Sequence, residues 1–181
     1  MPQRKRKRRR LGTSANGCHR VQAERPNDVW CWDFVFGRTI GGSSLKWLSI
    51  VDEFTRECLT LKVDRSHTSK NVIHSPVGLF VMRGVPRSIR SDNGPEFIAS
   101  NIRRWLKLVD VETLSIEPEA PRDNGYAESF HSRLRDEFLA IEEFESLTAA
   151  RRLSTLRQDD SNQNRLQSSL EHQTPAEFAA R

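Results

Sequence analysis

The sequence predicts a mixed α/β domain in which a five-stranded sheet is flanked by helices. Three apolar runs at residues 29–36, 45–51 and 58–63 follow one another with only short turn-forming segments between them, which is typical of an antiparallel meander. Two further apolar runs, at 88–91 and 111–116, alternate with helical patterns. A meander followed by alternating strands and helices predicts a mixed sheet, in which parallel strands follow the antiparallel ones.

Two helices are predicted between the later strands, at residues 68–82 and 98–108. The first contains Pro76 and Gly78 near its middle. A proline inside a helix removes a backbone hydrogen bond and clashes with the preceding turn, which costs about 3 kcal/mol or more unless the helix kinks. We therefore expect this helix to be a weak point of the fold.

A third helix is predicted at residues 124–141, after a loop that contains Pro118 and Pro121. Its apolar side chains recur at every fourth position, which is typical of a helix packed on a core. They are Tyr126, Phe130, Leu134 and Phe138. Glu128 lies well off this stripe, and the residues grouped with it are Asn124, His131 and Arg135.

The C-terminal part, residues 146–181, is predicted as a helical extension of a core that spans residues 25–145. It ends in residues 174–177 (TPAE), where threonine is followed by proline and, three residues on, by glutamate. This pattern predicts a capping box with proline at the first helical position.

The net charge of +5 is concentrated at the N-terminus. Seven of the first ten residues are Lys or Arg, so the rest of the chain carries 29 − 7 = 22 basic residues against 24 acidic ones. Residues 1–24 are too polar to bury and are predicted to form a disordered basic tail. An arm that lies along DNA phosphates and a simply solvated tail are both consistent with this composition.

Cysteine and hydropathy patterns exclude several classes of protein. Cys18, Cys31 and Cys58 lack the paired spacing of a zinc site or a disulfide framework. No apolar run approaches the roughly 18–20 residues that span a bilayer, and no hydrophobic signal segment follows the basic N-terminus. We expect reduced thiols in a soluble protein that is not secreted.

Three acidic residues are candidates for a metal site. Asp92 lies in residues 91–97 (SDNGPEF), Glu128 lies in residues 124–129 (NGYAES), and Asp33 is surrounded by seven apolar residues in 29–36. Burying such a charge is costly unless a metal or another partner neutralises it. Carboxylates brought together on rigid elements are what a two-metal phosphoryl-transfer site requires.

Each acid also has a structural interpretation. Taken alone, Asp92 in an Asp-Asn-Gly sequence is more often a turn residue, and Glu128 could be a solvated acid on a helix surface. Two other acids are weaker candidates for metal binding. Glu96 is expected to orient the loop beside Asp92, and Asp52 to close a hairpin.

Five linked motifs carry a resemblance that covers residues 25–178. They are 32–34 (WDF), 46–52 (KWLSIVD), 91–97 (SDNGPEF), 124–131 (NGYAESFH) and 174–178 (TPAEF). With these motifs the chain resembles the catalytic core of insertion-sequence transposases of the IS-three type, the product of the second reading frame. That family is related to the retroviral integrases.

The resemblance implies a ribonuclease H-like fold and a DNA strand cleavage and strand transfer activity that depends on metal. Asp33, Asp92 and Glu128 would bind two Mg²⁺ or Mn²⁺ ions, with Asp33 as the bridging ligand. The implied partners are DNA at the element ends and at the target, further copies of the chain, and a separate or upstream-frame helix-turn-helix polypeptide. A cytoplasmic, nucleoid-associated bacterial protein is expected.

Four residues are predicted to contact DNA: Arg135, His131, Asn93 and Asn124. Arg135 follows Glu128 by seven residues and therefore shares its helix face. His131 could contact DNA or a metal-bound water, or could simply be a polar-face histidine. Asn93 is also expected to shape the loop beside Asp92.

The tryptophans Trp30, Trp32 and Trp47 are predicted to lie in the core.

The chain departs from the family pattern near its C-terminus, where Arg157 and Ser161 occupy positions expected to hold Trp and Tyr. An alternative function is therefore a catalytically silent remnant that binds DNA nonspecifically through residues 4–10. A nuclease acting on RNA–DNA hybrids is a third possibility, disfavoured because the motifs around the acids match those of integrases.

Overall fold

The computed structural model describes residues 21–91, 100–115 and 125–181, with the backbone alone at 69, 70, 115 and 125–128. Most of the predicted N-terminal tail, residues 1–20, lies outside these ranges. The strands are β1 (Val29–Arg38), β2 (Ser44–Asp52), β3 (Cys58–Asp64), β4 (Ser88–Ser91) and β5 (Glu112–Ser115). The α-helices are α1 (Ser69–Arg83), α2 (Ser100–Leu108), α3 (Gly125–Leu134), α4 (Leu147–Gln163) and α5 (Pro175–Ala179).

The strands form one mixed sheet in the order β3-β2-β1-β4-β5. Strands β1, β2 and β3 pair antiparallel, whereas β4 pairs parallel to β1 and β5 parallel to β4. The predicted fold class, a five-stranded mixed sheet flanked by helices, is confirmed. The central position of β1 places Asp33 in the middle of the sheet.

Successive side chains of a strand point to opposite faces of the sheet. Both faces carry apolar side chains, and helices cover both of them. One face carries Trp30, Trp32 and Ile50, and Ile102 of α2 packs in the same cluster. The opposite face carries Val35, Trp47 and Leu61, together with Leu134 of α3 and Ala150 of α4. All three tryptophans of β1 and β2 are buried, which confirms their predicted place in the core.

Helix α1 runs from Ser69 to Arg83 with Pro76 inside it. The side chain of Thr68 caps its start by accepting a hydrogen bond from the backbone N–H of Asn71, and the hydroxyl of Ser75 donates to the carbonyl of Asn71. Val72 is fully buried in the core on this helix. Packing and capping therefore keep a helix that the proline by itself disfavours.

The prediction of one regular helix over residues 124–141 is wrong in its second half. Helix α3 ends at Leu134 and a π-helical segment follows at Arg135–Leu139, where the N–H of Ala140 bonds the carbonyl of Arg135. One extra residue in a helical turn rotates the side chains that follow it. Within this segment, Phe138 packs edge-on against Phe144, with ring centroids 5.4 Å apart.

Helix α4 covers the outer edge of the sheet. Gln158 and Asn162 accept hydrogen bonds from the backbone N–H groups of Leu61 (3.2 Å) and Cys58 (2.8 Å), and their amide groups donate to the carbonyls of Cys58 and Leu59. An exposed edge strand presents unpaired backbone groups that invite association with another chain. The side-chain amides of Gln158 and Asn162 form hydrogen bonds with backbone groups of this kind along β3.

The predicted capping box at the start of α5 is confirmed. The hydroxyl of Thr174 accepts from the N–H of Glu177 (3.2 Å), the carboxylate of Glu177 accepts from the N–H of Thr174 (2.9 Å), and Pro175 begins the helix. The side chains of Cys31 and Cys58 are buried, and burial raises the pKa of the Cys58 thiol to about 12. Of the helices in the described part of the chain, none has the length and apolarity to cross a membrane.

Candidate active site

Asp33 lies at the centre of the sheet and remains partly open to solvent. It pairs with Ser49 of β2, and one carboxylate oxygen, Oδ1, accepts a hydrogen bond from the N–H of Phe34 (2.7 Å). Its side chain is 20% exposed, whereas the neighbouring Trp32 is buried. A carboxylate that reaches solvent from the middle of a core strand is able to bind a cation.

The second carboxylate oxygen of Asp33 faces helix α3. The Nδ1 atom of His131 lies 2.9 Å from Oδ2, a distance typical of an ion pair, although the contact lacks the direction of a hydrogen bond. On the other side of the ring, Nε2 lies 2.5 Å from the hydroxyl of Ser49. The buried ring of His131 therefore joins two neighbouring strands of the sheet to the helix.

The protonation pattern of this group follows from its donors and acceptors. A carboxylate only accepts hydrogen bonds, whereas a serine hydroxyl both donates and accepts. We therefore expect Nδ1 to carry the ring proton towards Asp33 and Nε2 to accept from Ser49. The hydroxyl of Ser49 also lies 3.4 Å from the carbonyl of Asp33, so two groups compete for its single proton.

The contact with His131 also positions the backbone of Glu128. Glu128 precedes His131 by three residues on α3, and residues at this spacing lie on the same side of a helix. The turn that carries Glu128 therefore lies beside β1. The side chain of Glu128 is outside the described atoms.

Strand β4 approaches the site from the other side of β1. It ends at Ser91, which pairs with Trp32, the residue before Asp33. Asp92, Asn93 and Asn124 lie outside the described residues. Within the described ranges, no group of three His, Cys, Asp or Glu residues could hold a metal. Because two of the three predicted acids lack described side chains, the predicted metal site stays a prediction.

The two predicted DNA contacts that the structure describes differ in exposure. Arg135 is exposed at the first position of the π-helical segment. His131 is only 1% exposed, and its contacts in this structure are with Asp33 and Ser49. The sequence held one signal for this arrangement: Ser49 is a small polar residue inside an apolar strand, opposite Asp33.

Asp52 has the turn-closing role expected of it. Its fully buried carboxylate accepts from the N–H groups of Phe54 (2.8 Å), Thr55 (3.1 Å) and Asn27 (2.7 Å). Burial raises the pKa of Asp52, and these three N–H donors oppose that rise. The group stabilises the β2–β3 hairpin and joins it to the segment before β1.

Sequence reasoning missed a buried ion pair next to the end of β4. The guanidinium of Arg90 lies 2.7 Å from the carboxylate of Glu53, and both side chains are 6% exposed. Arg90 also donates to the carbonyl of Val21 (2.6 Å). The pair joins β4, one residue before Ser91, to the β2–β3 hairpin. Charged residues distant in sequence gave no sign that they would meet.

Comparison with known proteins identifies the family. A family model described as integrase core domain matches residues 23–121, and a second model of the same description matches residues 109–175. The chain belongs to the integrase core domain family. This integrase core holds Asp33, His131 and the backbone of Glu128 within the matched ranges.

Proteins of bacterial insertion elements are similar to this integrase core. An uncharacterized 39.2 kDa protein of insertion element IS476 from Xanthomonas euvesicatoria is 39% identical over 155 residues, which covers 86% of this chain and 45% of that protein. An uncharacterized 31.7 kDa protein of insertion element IS407 from Burkholderia multivorans is 33% identical over 177 residues, covering 98% and 64%. The chain thus spans about half to two thirds of the length of these relatives.

Solved retroviral integrase structures share the fold. The catalytic core domain of HTLV-2 integrase in complex with magnesium has a TM-score of 0.67 at 16% identity, covering 87% of this chain and 99% of that chain. A chain in the cryoEM structure of the simian T-cell lymphotropic virus intasome in complex with PP2A regulatory subunit B56 gamma has a TM-score of 0.72 at 17% identity, covering 88% of this chain and 56% of that chain. This integrase core therefore has the ribonuclease H-like fold that the sequence predicted.

Proposed function

We propose that the chain is the catalytic core of an insertion-sequence transposase of the IS-three type, which cleaves DNA strands and transfers them in a metal-dependent reaction. One observation carries the proposal. His131 joins α3 to Asp33 at 2.9 Å, and this contact brings the helical turn of Glu128 beside the central strand. Membership of the integrase core domain family and the similarity to insertion-element proteins agree with this function.

Asp33, Asp92 and Glu128 are the proposed metal ligands. The partly exposed carboxylate of Asp33 fits a divalent cation, since Mg²⁺ and Mn²⁺ prefer hard oxygen ligands. Ser91, the residue before Asp92, ends β4 opposite Trp32, which favours a place for Asp92 near Asp33. A pair of such ions, when bound, activates the attacking hydroxyl and stabilises the leaving oxygen.

His131 and Ser49 are proposed to hold the carboxylate of Asp33 in one orientation. A carboxylate on a strand can rotate about its side-chain bonds, and each lost rotamer costs free energy when a ligand binds. The contacts from Ser49 to His131 and from His131 to Asp33 restrict that rotation before any cation arrives. Partners of this kind support metal ligands in many metalloproteins.

DNA is the proposed substrate, both at the element ends and at the target. Arg135 is the proposed phosphate contact because it is exposed and follows the Glu128 turn on the same helical segment. Asn93 and Asn124 stay predicted contacts. Solved relatives are described as a magnesium complex in dimeric and trimeric forms and as an intasome, so we propose a homo-multimer as well. A separate helix-turn-helix polypeptide gains no support from these comparisons.

A strand-cleavage assay tests this function. The purified chain with Mg²⁺ or Mn²⁺ and an end-labelled duplex of the element end is expected to produce a nick that exposes a 3′-hydroxyl. Asp33→Asn, Asp92→Asn and Glu128→Gln should each abolish the nick. Asp159→Asn, at an exposed position on α4, is the matched control and should keep it.

Two results would overturn the proposal. DNA binding without any nick that depends on Asp92 would favour the catalytically silent remnant. Cleavage of RNA–DNA hybrids in preference to the DNA duplex would favour a ribonuclease H activity.

A further inference from the structure

We propose that a pocket lined by arginines beside α3 binds a phosphate group of the DNA backbone, as a second DNA site next to the candidate active site. This inference rests on the proposed function, because DNA is the polymer that the site would hold. The pocket has a volume of about 50 Å³ and lies between α3, the β2–β3 hairpin, α4 and the segment after α4. Besides four arginines, its lining includes Val51, Ser129, Phe130, Ser161, Gln167 and Ser169.

The described lining is strongly basic. Arg56, Arg133, Arg157 and Arg165 all line the pocket, and no acidic residue does so among the described residues. A phosphate group is recognised by such clusters, because guanidinium groups donate paired hydrogen bonds to its oxygens.

Two carboxylates beside the pocket fix two of the arginines. Glu137 contacts both Arg157 and Arg165, and Asp160 contacts the same two guanidinium groups at 3.6 and 2.7 Å. These four side chains form a network of two cations and two anions. The side chain of Arg157 is 10% exposed, so the network is anchored in the protein.

Arg133 adds a positive charge to this balanced network. Its guanidinium donates to the uncharged amide oxygen of Gln167 at 2.7 Å. Burial and the nearby charge of Arg133 both lower the pKa of Arg165. Two guanidinium groups that repel each other across a pocket gain stability when an anion binds between them.

The apolar side of the pocket suits a nucleotide more than a free ion. Val51 and the half-buried ring of Phe130 contribute apolar surface, and aromatic rings stack with bases of single-stranded nucleic acid. A phosphate on the arginines with its sugar or base against Phe130 uses both parts of the lining.

Small and charged residues form the α4 wall of the pocket. Ser161 is buried in its wall, and Arg157 lies one helical turn before it. The family pattern predicted Tyr and Trp at these two positions, and aromatic side chains there would occupy much of the space.

The pocket adjoins the elements of the candidate active site. Ser129 follows Glu128 directly on α3, and Val51 lies two residues after Ser49 on β2. A strand held at the active site could therefore continue into this pocket. Its expected effect is to fix the position of a nucleotide near the cleaved bond.

Binding measurements without metal test the site separately from catalysis. Titration calorimetry in EDTA with a thymidine dinucleotide as the phosphodiester probe should give saturable binding to the wild-type chain. Arg133→Gln should weaken it about tenfold, as expected for loss of one charge-assisted contact. Arg152→Gln, an exposed arginine on α4, is the matched control and should bind like the wild type.

Filling the cavity provides a second variant. Ser161→Tyr should abolish dinucleotide binding without removing a charge, and thermal melting would establish that it folds. If Ser161→Tyr does not fold, Arg133→Gln carries the test. Equal affinity of Arg133→Gln and the wild type would overturn the inference, as would binding of inorganic phosphate alone with no gain from the dinucleotide.

The outcomes separate this site from the proposed function. Asp33→Asn should bind the dinucleotide normally in EDTA while losing strand cleavage. Cleavage that persists with no dinucleotide binding overturns only the pocket, whereas dinucleotide binding with no metal-dependent cleavage overturns only the proposed catalytic activity.

Discussion

The Nδ1 atom of His131 lies 2.9 Å from Oδ2 of Asp33, across the interface between helix α3 and the central strand. The same ring contacts Ser49 on the neighbouring strand at 2.5 Å. The contact links the partly exposed acid of the sheet to the helix whose backbone includes Glu128.

Replacing His131 by alanine is expected to weaken Mn²⁺ binding by about 10–100-fold, the range found when the supporting partner of a metal ligand is lost. Calorimetric titration with Mn²⁺ measures this directly and does not depend on strand cleavage. His74→Ala, at an exposed position on α1, is the control and should leave the affinity unchanged. A His131→Ala variant that folds and binds Mn²⁺ with wild-type affinity would show that the ring has only a packing role.

Removing the amide of Gln158 should destabilise the edge of the sheet. Its side chain bonds the N–H of Leu61 and the carbonyls of Cys58 and Leu59. Gln158→Leu leaves partly buried backbone groups without these partners, at an expected cost of about 1–3 kcal/mol in the free energy of unfolding. Urea denaturation measures it, with Gln163→Leu on the exposed face of the same helix as the matched control. Equal losses in both variants would contradict the edge-covering role.

The ion pair of Arg90 and Glu53 should be sensitive to loss of one partner. Both side chains are almost fully buried, and an unpaired buried charge typically costs about 3–5 kcal/mol. Arg90→Met should therefore lower the urea midpoint far more than Arg104→Met, which replaces an exposed arginine of α2. Similar midpoints for the two variants would mean that the pair is not desolvated in solution.

The capping box of α5 predicts a pH-dependent contribution from Glu177. Hydrogen bonds from the backbone and side chain of Thr174 hold the pKa of Glu177 below its ordinary value of 4.5. A folded-state pKa that is lowered gives stability that is present above the unfolded value and lost as the pH falls through the folded one. Glu177→Gln should be less stable than the wild type at pH 6, and the difference should shrink as the pH falls below 4.5 and through the lowered folded-state pKa.

Thermal melting across this pH range checks the prediction. Glu145→Gln, at an exposed site before α4, controls for the general effect of removing an acid. A difference between Glu177→Gln and the wild type that stays constant from pH 6 to pH 3 would exclude the capping carboxylate as its source.

Local patterns in the sequence predicted most of the secondary structure. Alternation of apolar and turn-forming segments gave the meander of β1 to β3, and the residues 174–177 gave the cap of α5. These features depend on interactions between residues close in the chain, which a single sequence displays. The π-helical segment at Arg135–Leu139, whose Phe138 contacts Phe144 across a turn, was missed because no local pattern marks it.

The candidate site likewise has some features that the sequence predicted and others that only the tertiary structure showed. The sequence by itself determined the family resemblance, the mixed sheet and the placing of Asp33 on a core strand, since each follows from residue type and short-range spacing. Only the tertiary structure decided that His131 turns inward to Asp33, that Gln158 and Asn162 cover the edge of β3, and that four arginines surround one pocket. The first two of these arrangements join residues from 82 to 104 positions apart, as in the pairs Ser49 with His131 and Cys58 with Asn162. Contacts of such long range arise from the packing of helices on the sheet, which no local pattern records.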